Sequence, residues 1–141
     1  MKPRVIIADD HPVVLEGLQW LLADHVDLIG TAKDGGALID LALRLKPDLI
    51  ILDISMPVLN GIKAARRLRH ELPDTKLIFL TMHADLPYAT EALRMGVSGY
   101  VLKSSALSDL LAAIESVQKG GTYVSPQLKL PAESQESRKF T

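Results

Sequence analysis

Short apolar runs alternate with longer stretches of helical spacing along most of the chain. Val5 to Ala8, Leu49 to Leu52, Lys76 to Leu80 and Gly99 to Leu102 are compact runs rich in branched aliphatic residues, and Asp27 to Ala32 is a weaker one. Continuous apolar runs of this kind suit strands buried on both faces, the habit of a parallel sheet. Between them the pattern turns helical. Pro12 to Ala23 opens with a proline, which suits a first helical turn. Ala37 to Leu45 stops before Lys46-Pro47, Ile62 to Glu71 before Leu72-Pro73, and Pro87 to Met95 at Gly96. Leu107, Leu110, Leu111, Ile114 and Val117 form a one-faced stripe that predicts a last helix, ended by Gly120-Gly121. Five strand-then-helix units with right-handed crossovers predict an α/β sandwich of three layers around a five-stranded parallel sheet.

The bulk numbers narrow the class. With 141 residues and 48% apolar content the chain can build one ordinary domain with a sizeable core. Its 16 basic and 17 acidic residues give a net charge of -1, which provides neither a basic field for nucleic acid nor a polybasic membrane anchor. The lack of cysteine excludes disulfides and thiolate metal sites. The first apolar run ends at Ala8, too early for a signal peptide, and no run approaches the ~20 residues of a transmembrane helix. A cytoplasmic domain without membrane contact is expected. From Ser125 the composition shifts to Pro126, Pro131 and a polar run from Glu133 to Lys139. That shift predicts a folded domain over 1–124 and a linker or tail over 125–141.

Candidate chemistry collects at strand ends. Asp9 and Asp10 follow the first strand, Asp53 the third, Thr81 the fourth and Lys103 the fifth. In a parallel sheet these positions share one rim, the carboxyl end, where open α/β sheets place their ligands. Crowded carboxylates are costly to keep ionised without a cation. Oxygen donors without sulfur favour Mg²⁺. An ionised aspartate can attack phosphorus, and a metal ion with Lys103 would stabilise the phosphoryl oxygens. Thr81 could donate a hydrogen bond to the attached group.

The blocks Val5-Ile-Ile-Ala-Asp9-Asp10-His-Pro, Ile51-Leu-Asp53-Ile-Ser-Met-Pro57-Val-Leu-Asn-Gly61, Phe79-Leu-Thr81 and Gly99-Tyr100-Val-Leu-Lys103 resemble the signature of response regulator receiver domains. The likeness covers roughly residues 4 to 124. Asp-Asp-His-Pro, Leu80-Thr81-Met82-His83 and Gly120-Gly121-Thr122-Tyr123-Val124-Ser125-Pro126 are similar to the NarL/FixJ (LuxR-type) subfamily of two-component transcriptional regulators. The resemblance implies a flavodoxin-like, doubly wound fold with strand order 2-1-3-4-5. It also implies a phosphorylation-driven switch rather than an enzyme with turnover. By it, Asp53 is the phosphoacceptor. Asp10, Asp9, Asp53 and the backbone carbonyl of Ser55 are the Mg²⁺ ligands. Thr81 and Tyr100 are the switch pair, and Lys103 holds the phosphoryl group. The implied partners are a sensor histidine kinase and, on phosphorylation, a second copy. DNA would be reached only through a C-terminal output domain, and no helix-turn-helix pattern follows Pro126 in this chain. Two departures stand out: Ser104 follows the lysine where many receivers have Pro, and Met82 follows Thr81 where many have a small residue that leaves access open.

Three other readings compete. An aspartyl-phosphate phosphatase would carry Asp-x-Asp after the first strand, where this chain has His11 in third place. A flavin mononucleotide binder would need a Ser/Thr/Gly-rich loop where Asp9 and Asp10 stand. A receiver-like docking module that works without phosphorylation stays open. His11, His25, His70 and His83 form no metal-ligand spacing, though His83 falls near the rim. Arg66-Arg67-Leu68-Arg69 reads as a solvated helix face, and Ser104 and Ser105 as caps of the last helix. On the first helix Val14, Leu15, Leu18, Leu21 and Leu22 gather within roughly 120° of arc. Trp20 falls about 160° from their centre, beside Val13 and Gly17, and is expected on the surface as a contact residue.

Overall fold

The structure is a computed structural model; residues 2–82, 86–126 and 128 are described. The strands are β1 (Arg4–Ala8), β2 (Asp27–Ala32), β3 (Leu49–Leu52), β4 (Lys76–Thr81), β5 (Gly99–Leu102) and β6 (Tyr123–Val124). The helices are α1 (Pro12–Leu22), α2 (Gly35–Leu45), α3 (Gly61–Glu71), α4 (Leu86–Arg94) and α5 (Ala106–Gln118). All strand pairs are parallel, in the order β2-β1-β3-β4-β5-β6. The expected order 2-1-3-4-5 is therefore present, with a sixth strand added outside β5. Two residues are too few to leave a periodic signal, which is why β6 is invisible to sequence patterning.

Alternation along the strands splits the core into two layers. Val5 and Ile7 of β1, Leu49 and Ile51 of β3, Ile78 and Leu80 of β4 and Val101 of β5 pack with Leu15, Leu18 and Leu22 of α1 and Leu110, Ala113, Ile114 and Val117 of α5. Ile6, Ala8, Ile50, Leu52, Leu77, Phe79, Tyr100 and Leu102 belong to the opposite layer, with residues of α2, α3 and α4. Each strand thus feeds both cores, as period-2 geometry requires of a sheet covered on both faces.

Local chemistry sets the helix ends. The Asp34 side chain accepts from the Ala37 N–H at 2.7 Å, and Asn60 from the Lys63 N–H at 2.9 Å, so α2 and α3 begin slightly before their first periodic apolar residue. Gly96 and Gly120, both at φ 87°, take the left-handed conformation after α4 and α5. Ser105 stands at the start of α5, but its hydroxyl donates to the Leu102 carbonyl at 3.4 Å instead of capping the helix. The 3-10 turn over Lys103–Ser105 leads directly into α5, its Ala106 N–H donating to Lys103 O. No helix among the described residues is long and apolar enough to cross a membrane.

Packing continues past the change of composition at Ser125. Ser125 is buried, its N–H donating to Tyr100 O at 2.9 Å, and Leu128 joins the α2–α3–α4 side of the core. Residues 129–141 lie outside the described residues.

Candidate functional site

The sheet ladder runs one step past β1 and β3 and fixes the backbone of the acids that follow. The Asp9 N–H donates to Ala32 O and the Asp53 N–H to Ala8 O, both at 3.0 Å. Their carboxylates are almost wholly buried, at 1% and 3% exposure. The Lys103 ammonium lies between them, Nζ 2.7 Å from Asp9 Oδ2 and 3.1 Å from Asp53 Oδ2. Burial pulls the lysine toward deprotonation. Hydrogen bonds and negative charge from Asp9 and Asp53 together outweigh it, so its pKa lies above the ordinary 10.5. Lys103 is held as a cation where two strands, far apart in sequence, deliver their acids.

Asp10 and His11 complete the rim. The His11 N–H donates to Asp9 Oδ1 at 2.9 Å, and the ring Nδ1 lies 3.1 Å from Asp9 Oδ1 and 3.0 Å from Asp10 Oδ1. Donor atoms of Asp9, Asp10, His11 and Asp53 all lie within 4.8 Å of one another. Asp10 Oδ1 is shut off from solvent and faces the His11 ring Nδ1 at 3.0 Å beside the Asp9 carboxylate, a crowding of acids that a bound cation would relieve. Oxygen donors on a half-open rim fit a hard divalent ion that keeps several waters.

The loop from Asp53 to Gly61 continues directly from one of these acids. The Ser55 N–H donates to Asp53 Oδ1 at 3.3 Å. The Leu59 N–H bonds back to Pro57 O at 2.7 Å across Val58, whose φ of 69° makes this a tight three-residue turn of the strained kind. Gly61 closes the loop with its N–H on Ile54 O at 2.7 Å. A Cβ at Gly61 would sit 2.0 Å from Asp53 O and 2.7 Å from Ile54 Cα, so only glycine lets α3 start this close to the acid.

The predicted residues divide by phase. Asp9, Asp53 and Lys103 continue the alternation that carries Ile7, Ile51 and Val101 toward α1 and α5. Thr81 and Tyr100 continue the opposite one, with Phe79 and Leu102. Both are fully buried, and Tyr100 meets Phe79 edge to face with ring centroids 6.2 Å apart. Met82, directly after Thr81, is 76% exposed. His83 lies outside the described residues. His25 and His70 are exposed and stand apart from the cluster.

The family model for the response regulator receiver domain matches residues 5–115. This chain belongs to the response regulator receiver family. Among relatives, the receiver is 37% identical over 126 residues to the transcriptional regulatory protein MctR of Rhizobium johnstonii, covering 88% of this chain and 59% of MctR. The chain therefore spans little more than half the length of the curated relatives it matches. A LuxR-family two-component response regulator from Aurantimonas sp. SI85-9A1 superposes with a TM-score of 0.87 at 30% identity, covering 100% of both chains. RcsB is a third relative. Its isolated receiver from Salmonella enterica serovar Typhimurium, solved with phosphomimetic BeF₃⁻, gives a TM-score of 0.85 at 32% identity over 91% of this chain and 96% of that one. Two RcsB dimers bound to two parallel DNAs give 0.85 at 29% identity over 99% and 76%. The chain is thus a LuxR-type receiver, the class of domain on which two-component switches are built.

Sequence reasoning passed over three features of the receiver. Sequence spacing gives His11 no metal-ligand role, yet it touches two of the acids, and its place directly after Asp10 is the available signal. Asp109 is buried, accepting from the Tyr123 hydroxyl at 3.0 Å and the Ser125 hydroxyl at 3.1 Å. Its spacing to Ala113 and Val117 puts an acid on the core face of α5, an anomaly legible in the sequence. Burial, the hydrogen bond and the negative charge of Asp109 push the Tyr123 phenol above its usual value of 10.0. The third feature, the close approach at Gly61, needs three-dimensional contact to be seen.

Proposed function

We propose that this receiver takes a phosphoryl group on Asp53 from a phosphohistidine of a sensor histidine kinase and converts it into a change of surface shape. The observation that carries this reading is the buried Lys103 ammonium bridging Asp9 and Asp53, with Asp10 gathered into the same cluster. A carboxylate oxygen of Asp53 attacks phosphorus. The new P–O bond forms as the P–N bond to the imidazole breaks, and the departing nitrogen keeps the electron pair and takes up a proton. Lys103 exchanges its contact with Asp53 Oδ2 for a phosphoryl oxygen. Asp10, Asp9, Asp53 and the Ser55 carbonyl would hold Mg²⁺, which when bound offsets the negative charge gathered there. The Thr81 hydroxyl turns to the phosphoryl group, and Tyr100 secures the space behind it. Tyr100 is already buried, in keeping with a shift between two populations rather than a new conformation. The protein is a phosphoacceptor that returns phosphate slowly to water, not an enzyme with turnover.

The DNA-bound dimers of RcsB support a further part of the proposal. Phosphorylation favours a homodimer, and DNA is contacted through a C-terminal output domain following the linker. This goes with a cytoplasmic location. Acetyl phosphate with Mg²⁺ tests the core of the reading. The expected result is one added phosphoryl mass in the wild type and none in Asp53→Asn. Equal labelling of the Asn variant overturns the assignment of Asp53, and a wild type that takes no label supports the phosphorylation-independent docking module instead.

A further inference from the structure

The Leu102 peptide is gripped from both sides by hydroxyls. Its N–H donates to Ser125 Oγ at 2.9 Å, and its carbonyl accepts from the Ser105 hydroxyl at 3.4 Å. Ser125 is 1% exposed, and its own hydroxyl proton goes to Asp109 Oδ2 at 3.1 Å. The pairing of β6 with β5 covers only Gly99 and Tyr100, followed by the Ser125 N–H on Tyr100 O. At the next position a side chain takes over from the backbone. The ladder of β5 is therefore finished by Ser125, oriented by Asp109, one residue before Lys103.

That residue must place an ammonium within 2.7 Å and 3.1 Å of two carboxylates delivered by other strands. A long lysine side chain reaches many positions, so its aim depends on a fixed backbone. Misplacement of a reacting or binding group by about 1 Å can cost up to ~10²-fold in rate. A buried carboxylate with no role in the phosphoryl site is expensive to retain, whereas one that fixes the Leu102 peptide has a use.

We propose that Asp109 and Ser125 are positioning residues for phosphoryl transfer, fixing the Leu102 peptide and through it the Lys103 ammonium. The inference rests on the reading of Asp53 as phosphoacceptor and Lys103 as phosphoryl holder. It goes beyond that reading by assigning a role to residues that touch neither phosphate nor metal. It also ties the site to the segment by which the chain leaves the domain, since Ser125 belongs to both.

The experiment compares the 141-residue wild type, Ser125→Ala, Ser125→Thr and Asp109→Asn. Two quantities are read on the folded protein: the rate of labelling by acetyl phosphate at saturating Mg²⁺, and the Lys103 Nζ titration by NMR. Ser125→Ala is expected to slow labelling on the order of tenfold, to bring the Lys103 pKa down toward its ordinary value, and to leave Mg²⁺ affinity unchanged. Ser125→Thr, which keeps the hydroxyl, restores most of both. A purely structural clasp would lower stability while leaving the rate and the titration of the folded protein as in wild type, and that result overturns the proposal. So does a Thr variant no better than Ala. Should Ser125→Ala fail to fold, Asp109→Asn decides by the same readouts, because it keeps volume and replaces one acceptor by a donor. Asp53→Asn serves as the blank. If the wild type itself takes no label, the phosphoacceptor reading fails, and the Lys103 titration still decides whether the clasp aims the lysine.

Discussion

The two rims of the sheet obey different rules. At the amino end of the strands, polar side chains bind the backbone where helices give way to strands. The Arg4 N–H donates to Asp48 Oδ2 at 2.8 Å, while its guanidinium binds Lys46 O at 2.9 Å and Leu45 O at 3.0 Å, at the end of α2. The buried Thr75 hydroxyl donates to Pro47 O at 2.8 Å. At the carboxyl end, Asp9 and Asp53 flank one ammonium with Asp10 drawn into the same cluster, and Val58 holds a positive φ of 69°. One rim is arranged for stability. The other keeps like charges together and a turn under strain, which is useful only if a cation and a phosphoryl group visit.

The strongest way to break this contrast is at Gly61. An alanine Cβ there must push the Asp53 carbonyl away, so Gly61→Ala is expected to cost about 3 kcal/mol in urea unfolding and to abolish labelling of Asp53. At the quiet rim, Thr75→Val should cost roughly 1–2 kcal/mol by stranding Pro47 O, with labelling by acetyl phosphate unchanged. The sign should reverse across the molecule. Asp10→Ala should gain about 1 kcal/mol in metal-free buffer, by relieving like-charge repulsion, and lose that advantage when Mg²⁺ is added. Thermal melts with and without Mg²⁺ measure both; a variant that melts below wild type in metal-free buffer would erase the contrast.

A pH series sharpens it. The Lys103 pKa is raised in the folded state, so the ion-pair contribution is complete below 10.5 and drains away as pH climbs through the raised value. The stability gap between wild type and Lys103→Met should narrow only above 10.5. Tyr123, also raised from 10.0, titrates alike in both proteins and cancels. The smallest effect is expected at Trp20, 82% exposed on α1 with Val13 at 81%. Trp20→Ala should change stability by less than about 0.5 kcal/mol. It should still reduce self-association measured by light scattering with beryllofluoride. Equal masses for both proteins would remove Trp20 from the contact.

Much of the loaded rim was legible beforehand, for a geometric reason. Once β1, β3 and β5 are parallel, the residues after them must share an end, and Asp9, Asp53 and Lys103 follow without further knowledge. The outward face of α1 followed equally from helical spacing. What stayed hidden depends on contacts too short or too long in sequence to leave a period. β6 is one pair of residues. The clasp joins Asp109 to Ser125 across the end of α5. Ser105 precedes a helix as a cap would, but its hydroxyl turns back to the Leu102 carbonyl, which the sequence does not reveal. Composition marked Ser125 as the start of a linker, since a serine followed by proline carries no hint that it is buried.

The alternation of the strands between two cores has a genetic consequence. Inserting one codon into the stretch encoding β3 leaves amino-acid composition and hydrophobicity almost untouched. Yet downstream of the insertion it exchanges the residues destined for the two layers and turns Asp53 from the α1–α5 phase to the opposite one. Such alleles should be lost while insertions of the same size in the loops on the amino rim persist. The spacing from Leu49 to Asp53 is therefore inherited as a unit, whatever aliphatic side chains fill it.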